Sequence, residues 1–212
     1  MILYDYFRSS AAYRVRIALA LKGLSVKHEP IRLRRDASAQ RRPEYLAKNP
    51  QGLVPALELD SGAVLTQSLA IIDYLDAVYP EPRLVPAEPI LAARARAVAL
   101  TIACDIHPLN NVRVTSYLET EFELREERID AWRRHWILEG GLEAIEQSIE
   151  AAPFCFGQAV TMADVCLVPQ LYNARRFGVC FAHLPKIVAV DAACADLPAF
   201  QAAHPSRQID AE

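Results

Sequence analysis

The sequence predicts an α/β domain of order βαβ–ββα over residues 1–80, followed by an all-helical domain over residues 90–212. Three observations carry this. Short apolar runs alternate with helix-period segments up to Pro80, as in a small sheet with its connecting helices. Four prolines then crowd the ten residues from Pro80 to Pro89, which marks residues 81–89 as a linker. Beyond Ile90, apolar residues recur only at helical spacing.

The elements follow in order. Ile2 to Tyr6 is a compact apolar and aromatic run suited to a buried strand. After Phe7-Arg8-Ser9-Ser10, the residues Ala11, Val15, Ala18 and Leu19 fall on one helical face, and Gly23 stands where a helix ends. Val26 to Leu33 reads as a second strand with a charged outer face. A polar basic stretch over residues 34–42 and a short helix around Glu44–Ala47 lead to the turn Asn49-Pro50-Gln51-Gly52. Two strands, Ala56 to Leu59 and Ala63 to Leu65, flank Asp60-Ser61-Gly62, a hairpin signal. Leu69, Ile72, Leu75 and Tyr79 then repeat at helical spacing until Pro80.

In the second domain Leu91, Ala95, Val98, Ile102 and Ile106 mark a long helix that Pro108, lacking an N–H, should kink. A second long helix is expected from Arg125 to Ile149, interrupted at Gly140-Gly141. A third starts at Thr161, where Thr161 and Asp164 form a capping box and Val160 and Val165 a hydrophobic staple.

Composition excludes several classes. The 23 basic and 26 acidic side chains nearly cancel, so no global field draws nucleic acid or a membrane surface. No run approaches the roughly 18 unbroken apolar residues of a spanning helix, and no leader is visible, so a cytoplasmic protein is expected. The five cysteines, Cys104, Cys155, Cys166, Cys180 and Cys194, are odd in number and form no C-x-x-C. They read as buried or incidental thiols, with no metal site.

Five segments bear a family likeness. Ser9-Ser10-Ala11-Ala12-Tyr13-Arg14-Val15-Arg16-Ile17-Ala18-Leu19 resembles the signature S-S-C-x-W-R-V-R-I-A-L of the zeta-class glutathione transferases, the maleylacetoacetate isomerase family. The run Asn49 to Leu57 is similar to the transferase turn before the cis-proline, and Gln67-Ser68-Leu69-Ala70-Ile71 to the glutathione motif Q-S-x-A-I. Asp105-Ile106-His107-Pro108-Leu109-Asn110-Asn111 resembles a segment of bacterial maleylacetoacetate and maleylpyruvate isomerases, and His204-Pro205-Ser206-Arg207-Gln208 the zeta C-terminus. Ala11 stands where the family has cysteine and Tyr13 where it has tryptophan, so a mechanism built on a protein thiol has no support here.

The resemblance implies a thioredoxin-like first domain that binds glutathione as cofactor, and a helical glutathione transferase domain that completes a pocket for a small dicarboxylate. It further implies a homodimer. The implied reaction is cis–trans isomerisation of maleylacetoacetate to fumarylacetoacetate, in aromatic amino-acid catabolism, by reversible thiolate addition. Three readings stay open beside it: a maleylpyruvate isomerase of the gentisate pathway, a general transferase using Tyr6, and a non-catalytic binding protein.

Ser9 and Ser10 stand where the first strand hands over to the first helix, a terminus with free N–H groups that favours anions. A free thiol has a pKa of about 8.5, and lowering it by about 1.5 units takes roughly 2 kcal/mol, which one or two donors and a helix end can supply. The resemblance makes both serines catalytic; as plain residues either could be an N-cap and nothing more. By the same resemblance Gln67 and Ser68 hold the γ-glutamyl end of glutathione, and Val54, turned outward by a cis bond to Pro55, pairs with its peptide. His107 and Asn111, four apart and on one face if the helical turn survives Pro108, are implied as further glutathione contacts, although a histidine on an apolar helix is commonly structural. Arg8, Arg113 and Arg176 are candidates for the substrate carboxylates, since the guanidinium fork matches a carboxylate; the competing reading is solvated surface, which is assigned to Arg34, Arg35, Arg41 and Arg42.

Overall fold

The computed structural model describes residues 1–33 and 39–212. Arg34 and Arg35 of the expected solvated basic face lie outside the described residues, while Arg41 and Arg42 are exposed. The chain divides into two compact units, Met1–Leu84 with Asp196–Glu212, and Val85–Ala195.

The first unit is built on a four-stranded mixed sheet of order β2-β1-β3-β4, with β1 Ile2–Asp5, β2 Lys27–Pro30, β3 Ala56–Glu58 and β4 Val64–Thr66. β1 pairs parallel with β2, Ile2 opposite Lys27, and antiparallel with β3, Ile2 opposite Glu58. The central position of β1 explains its apolar character, and edge strand β2 carries Lys27, Glu29 and a terminal Pro30, residues that discourage further pairing. The parallel step requires a crossover, supplied by helix α1, Ser10–Leu21. Gly23 closes it at φ +65°, the left-handed position glycine takes without cost. A short helix α2, Pro43–Leu46, precedes the hairpin β3–β4, and α3, Ser68–Val78, completes the βαβ–ββα order.

The linker begins later than its prolines suggest. The Lys22 side chain is fully buried, and its Nζ donates to Asp76 Oδ1, the Tyr79 carbonyl and the Pro82 carbonyl, each at 2.6 Å. All three ammonium protons are thereby used, and Leu84 N–H donates to the same Asp76 oxygen at 2.7 Å. Residues 80–84 are thus tied to the first unit. Glu88 and Pro89 already open the next helix: the Glu88 carboxylate accepts from the Ile90 and Leu91 N–H groups, which hold its pKa below the usual range.

The second unit contains α4 Pro89–Leu100, α5 Val112–Glu121, α6 Glu126–Arg134, α7 Glu143–Ser148, α8 Met162–Arg176 and α9 Pro185–Ala195. Its core helix is α8, buried on every side from Met162 to Leu171. The capping box at its start is present: Asp164 is fully buried and accepts from Thr161 N–H at 2.7 Å, Thr161 Oγ1 at 2.9 Å and Cys155 N–H at 2.7 Å. Two expected helices are modified by π turns. Thr101–Ile106 extends α4 as a π segment, and His135–Leu142 joins α6 to α7 in the same way, so Gly140-Gly141 widens the helix instead of interrupting it. A Cβ on Gly141 would lie 2.2 Å from Ile106 Cδ1, so a larger residue there would have to displace that buried side chain.

One placement departs from the sequence expectation of a single helical body over residues 90–212. The last segment, Asp196–Glu212 with helix α10 Pro198–Ala203, groups with the first unit. The buried Arg16 guanidinium holds it there by donating from Nε to the Ala203 carbonyl at 3.1 Å, and α10 packs on α1.

Candidate active site

In the first unit the site begins at a turn. Ser9 N–H donates to the Tyr6 carbonyl at 2.9 Å, closing Tyr6-Phe7-Arg8-Ser9. Ser9 is thereby the N-cap of α1, with extended backbone (φ −69°, ψ 115°), and its Oγ accepts the Ala12 N–H at 3.2 Å. An accepting hydroxyl keeps its own proton, so capping and donation to a bound anion are compatible. Ser10 is different: it lies inside the first turn, 3% exposed, and its Oγ is buried without a hydrogen-bond partner among the described residues. Arg8 is exposed and its guanidinium lies 4.8 Å from the centre of the Phe7 ring. Tyr6 is half-buried against the cluster of Tyr4, Tyr45, Val54 and Ala56.

The Val54–Pro55 bond is cis. Its approach is rigid. The Leu53 carbonyl accepts from Tyr45 Oη at 2.5 Å and from the buried Asn49 Nδ2 at 2.7 Å. Carbonyl and N–H of one trans peptide plane point in opposite directions, so holding Leu53 C=O this way turns Val54 N–H the other way. Among the described residues neither Val54 N–H nor its C=O makes a hydrogen bond. Burial pushes the Tyr45 phenol up to about 12, so it stays a donor at any working pH.

Gln67 and Ser68 open α3. Gln67 has φ +68° and ψ 117°, a conformation that side-chain-bearing residues rarely take, and such strain gathers at functional sites. Its Nε2 donates to Gln51 Oε1 at 2.8 Å. Ser68 is buried, and its Oγ accepts at 3.2 Å from Nη1 of Arg14, which is itself 2% exposed. Sequence reading missed Arg14, as well as Tyr45 and Asn49. The available signal was Arg14 and Arg16 inside an otherwise apolar helix, where a charge must be paired or put to use.

In the second unit the expectation that His107 and Asn111 share a helical face is corrected. His107 ends the π segment, Pro108–Asn110 forms a 3-10 turn, and Asn111 is the extended N-cap of α5 (φ −64°, ψ 144°). Pro108 cannot donate to the preceding turn, so the helix ends there and a new one must be capped. Asn111 Oδ1 does this by accepting Arg113 N–H at 3.1 Å, which leaves the amide donors of its side chain for other use. Arg113 is exposed on the first turn of α5, and Arg176 is exposed at the end of α8 with its guanidinium 4.6 Å from the Phe177 ring centre. Among the described residues no cluster could hold a metal ion and no helix is long and apolar enough to cross a membrane.

Residues 3–83 match the family model described as the glutathione S-transferase N-terminal domain. The chain is 50% identical to a maleylacetoacetate isomerase of Pseudomonas aeruginosa over 210 residues, covering 99% of this chain and 98% of that protein. Among solved structures it is similar to the holo form of a bacterial zeta-class maleylpyruvate isomerase, at 42% identity, a TM-score of 0.94 and complete coverage of both chains. It is equally similar in extent to a Methylobacterium extorquens maleylacetoacetate isomerase with malonate and GSH bound, at 41% identity and a TM-score of 0.90.

Proposed function

The chain belongs to the zeta class of glutathione transferases, the family of the maleylacetoacetate and maleylpyruvate isomerases, and from this we infer that it is a glutathione-dependent cis–trans isomerase of maleylacetoacetate. Maleylpyruvate, a shorter acid open to the same chemistry, is the second reading, favoured by the full-length likeness to that isomerase's holo structure.

The residues of the first unit fit a peptide-like thiol. Val54 presents unpaired backbone groups, the buried Ser10 hydroxyl lacks a partner, and Gln67 and Ser68 offer free N–H groups at the start of α3 above the Arg14 charge. In this reading Val54 pairs with the glutathione backbone, Gln67 and Ser68 hold its γ-glutamyl end, and Ser9 with Ser10 stands beside its sulfur. His107 and Asn111 are assigned as further glutathione contacts on the family resemblance. When bound, glutathione supplies a thiolate that adds reversibly to the cis double bond of the substrate. Ser9 donates its hydroxyl proton toward that sulfur, and the α1 N-terminus adds its partial positive charge. Arg8, Arg113 and Arg176 hold the substrate carboxylates and stabilise negative charge that spreads toward them during the reaction. Cytoplasmic residence and a homodimer belong to the same proposal and rest on the family resemblance.

The observation that carries the reading is Ser9 at the cap, accepting from Ala12 with its own proton left to donate. Ser9→Ala is expected to lower kcat by about a hundredfold or more, as when an oxyanion donor is lost, while glutathione still binds. Tyr6→Phe is expected to change little. Steady-state isomerisation by both variants checks this; an active Ser9→Ala beside an inactive Tyr6→Phe contradicts it.

A further inference from the structure

We propose that Asp210, carried by the Asp196–Glu212 segment, is a positioning residue for the turn that bears Arg8 and Ser9. The inference rests on the reading of that turn as catalytic. The Phe7 peptide groups of this turn are held from two directions. Phe7 N–H donates to Asp210 Oδ2 at 3.1 Å across 203 residues of sequence. The Phe7 carbonyl accepts from Arg16 Nη2 at 3.0 Å.

Arg16 is the hub. Its Nη1 donates to Asp5 Oδ2 at 3.2 Å and its Nε to the Ala203 carbonyl at 3.1 Å, so one guanidinium binds the end of β1, the turn and the C-terminal segment. It is 3% exposed, so these bonds are shielded from water. The Tyr6 carbonyl is occupied by Ser9 N–H. With both Phe7 backbone groups fixed and Tyr6 C=O engaged, little freedom is left to the peptides on either side of Arg8. Their orientation sets where the Arg8 guanidinium and Ser9 Oγ stand. A misplacement of about 1 Å at a reacting group is enough to cost up to a hundredfold in rate. Arg16 holds the Phe7 carbonyl and reaches the Tyr6 carbonyl from Nη1 at 3.5 Å; Asp210 adds the bond to Phe7 N–H on the opposite edge of that Tyr6–Phe7 peptide plane.

The test uses the full chain with Asp210→Ala, Asp210→Asn and Ser9→Ala. Asp210→Ala is expected to lower kcat about tenfold, with KM for glutathione and the unfolding midpoint near those of the parent. Amide hydrogen exchange of Phe7 and Ser9 should speed up by a similar factor. Asp210→Asn keeps an acceptor oxygen and should recover most of both. Parent-like kcat and parent-like exchange in Asp210→Ala overturn the proposal. So does a fall in kcat that only tracks a fall in midpoint and is not recovered by Asn. A fully active Ser9→Ala overturns the catalytic reading instead, and the exchange rates then still decide whether Asp210 holds the turn.

Discussion

At the residue scale, several polar groups around the first-unit site answer to a local demand. Ser9 caps because four N–H groups at a helix start lack partners, and the half-buried Leu53 C=O is held by Tyr45 and Asn49, which replace the water it forgoes. Arg14 is the costliest of these. A guanidinium 2% exposed forgoes hydration, and its bond to Ser68 Oγ lies beneath the N-terminus of α3. If that charge supports the γ-glutamyl carboxylate, Arg14→Met should raise the Kd for glutathione about tenfold or more, since hydrogen bonds to charged groups are worth about 1.5–3 kcal/mol. Arg14→Lys should recover part of the loss, because lysine keeps the charge without the fork. Calorimetric titration with glutathione, with unfolding midpoints measured alongside, checks it; an unchanged Kd in folded Arg14→Met removes Arg14 from the binding account.

At the scale of elements, periodicity and punctuation made most of the fold legible. Alternating apolar runs, the Asp60-Ser61-Gly62 hairpin and the Thr161–Asp164 capping box are local patterns, and each element formed near its expected place. The helix ends near Pro108 and the π segments were less legible. Hydrophobic spacing does not distinguish an α turn from a slightly wider one, and the approach of Ile106 to Gly141 is a contact between distant helices. Capping strength is the testable part. Asp164→Ala leaves the Thr161 and Cys155 N–H groups without their buried acceptor, at about 1–3 kcal/mol each. A loss of about 3 kcal/mol corresponds to a midpoint lower by roughly 6–12 °C in a chain of this size. Thermal unfolding followed by circular dichroism checks this; a shift below about 2 °C would mean that the cap is not a main support of α8.

At the scale of the whole molecule, motifs could be read and long-range groupings could not. Ser9, Val54, Gln67 and Ser68 sit in short segments whose chemistry is local. Arg16 and Ala203 are separated by 187 residues, and no local pattern joins them, so the return of Asp196–Glu212 to the first unit was invisible in the sequence. The cysteines follow the same division: all five lie in Val85–Ala195, none in the unit that carries Ser9. Cys155 and Cys194 are buried, which pushes their thiols well above the ordinary range and leaves them poor nucleophiles. A variant with all five replaced, by alanine at the three buried sites and serine at the two exposed ones, should keep isomerase activity within about twofold if it folds. A folded cysteine-free protein with no turnover would place a protein thiol in the mechanism.

The central claim is that glutathione acts as a cofactor, regenerated at each turnover, and the direct test is its stoichiometry. Purified protein is given maleylacetoacetate in large excess over glutathione, with loss of the enone absorbance followed beside titration of free thiol. The account predicts many substrate molecules converted to the trans acid per glutathione, with the thiol undiminished. One thiol consumed per product, or no conversion with either maleylacetoacetate or maleylpyruvate, would contradict it.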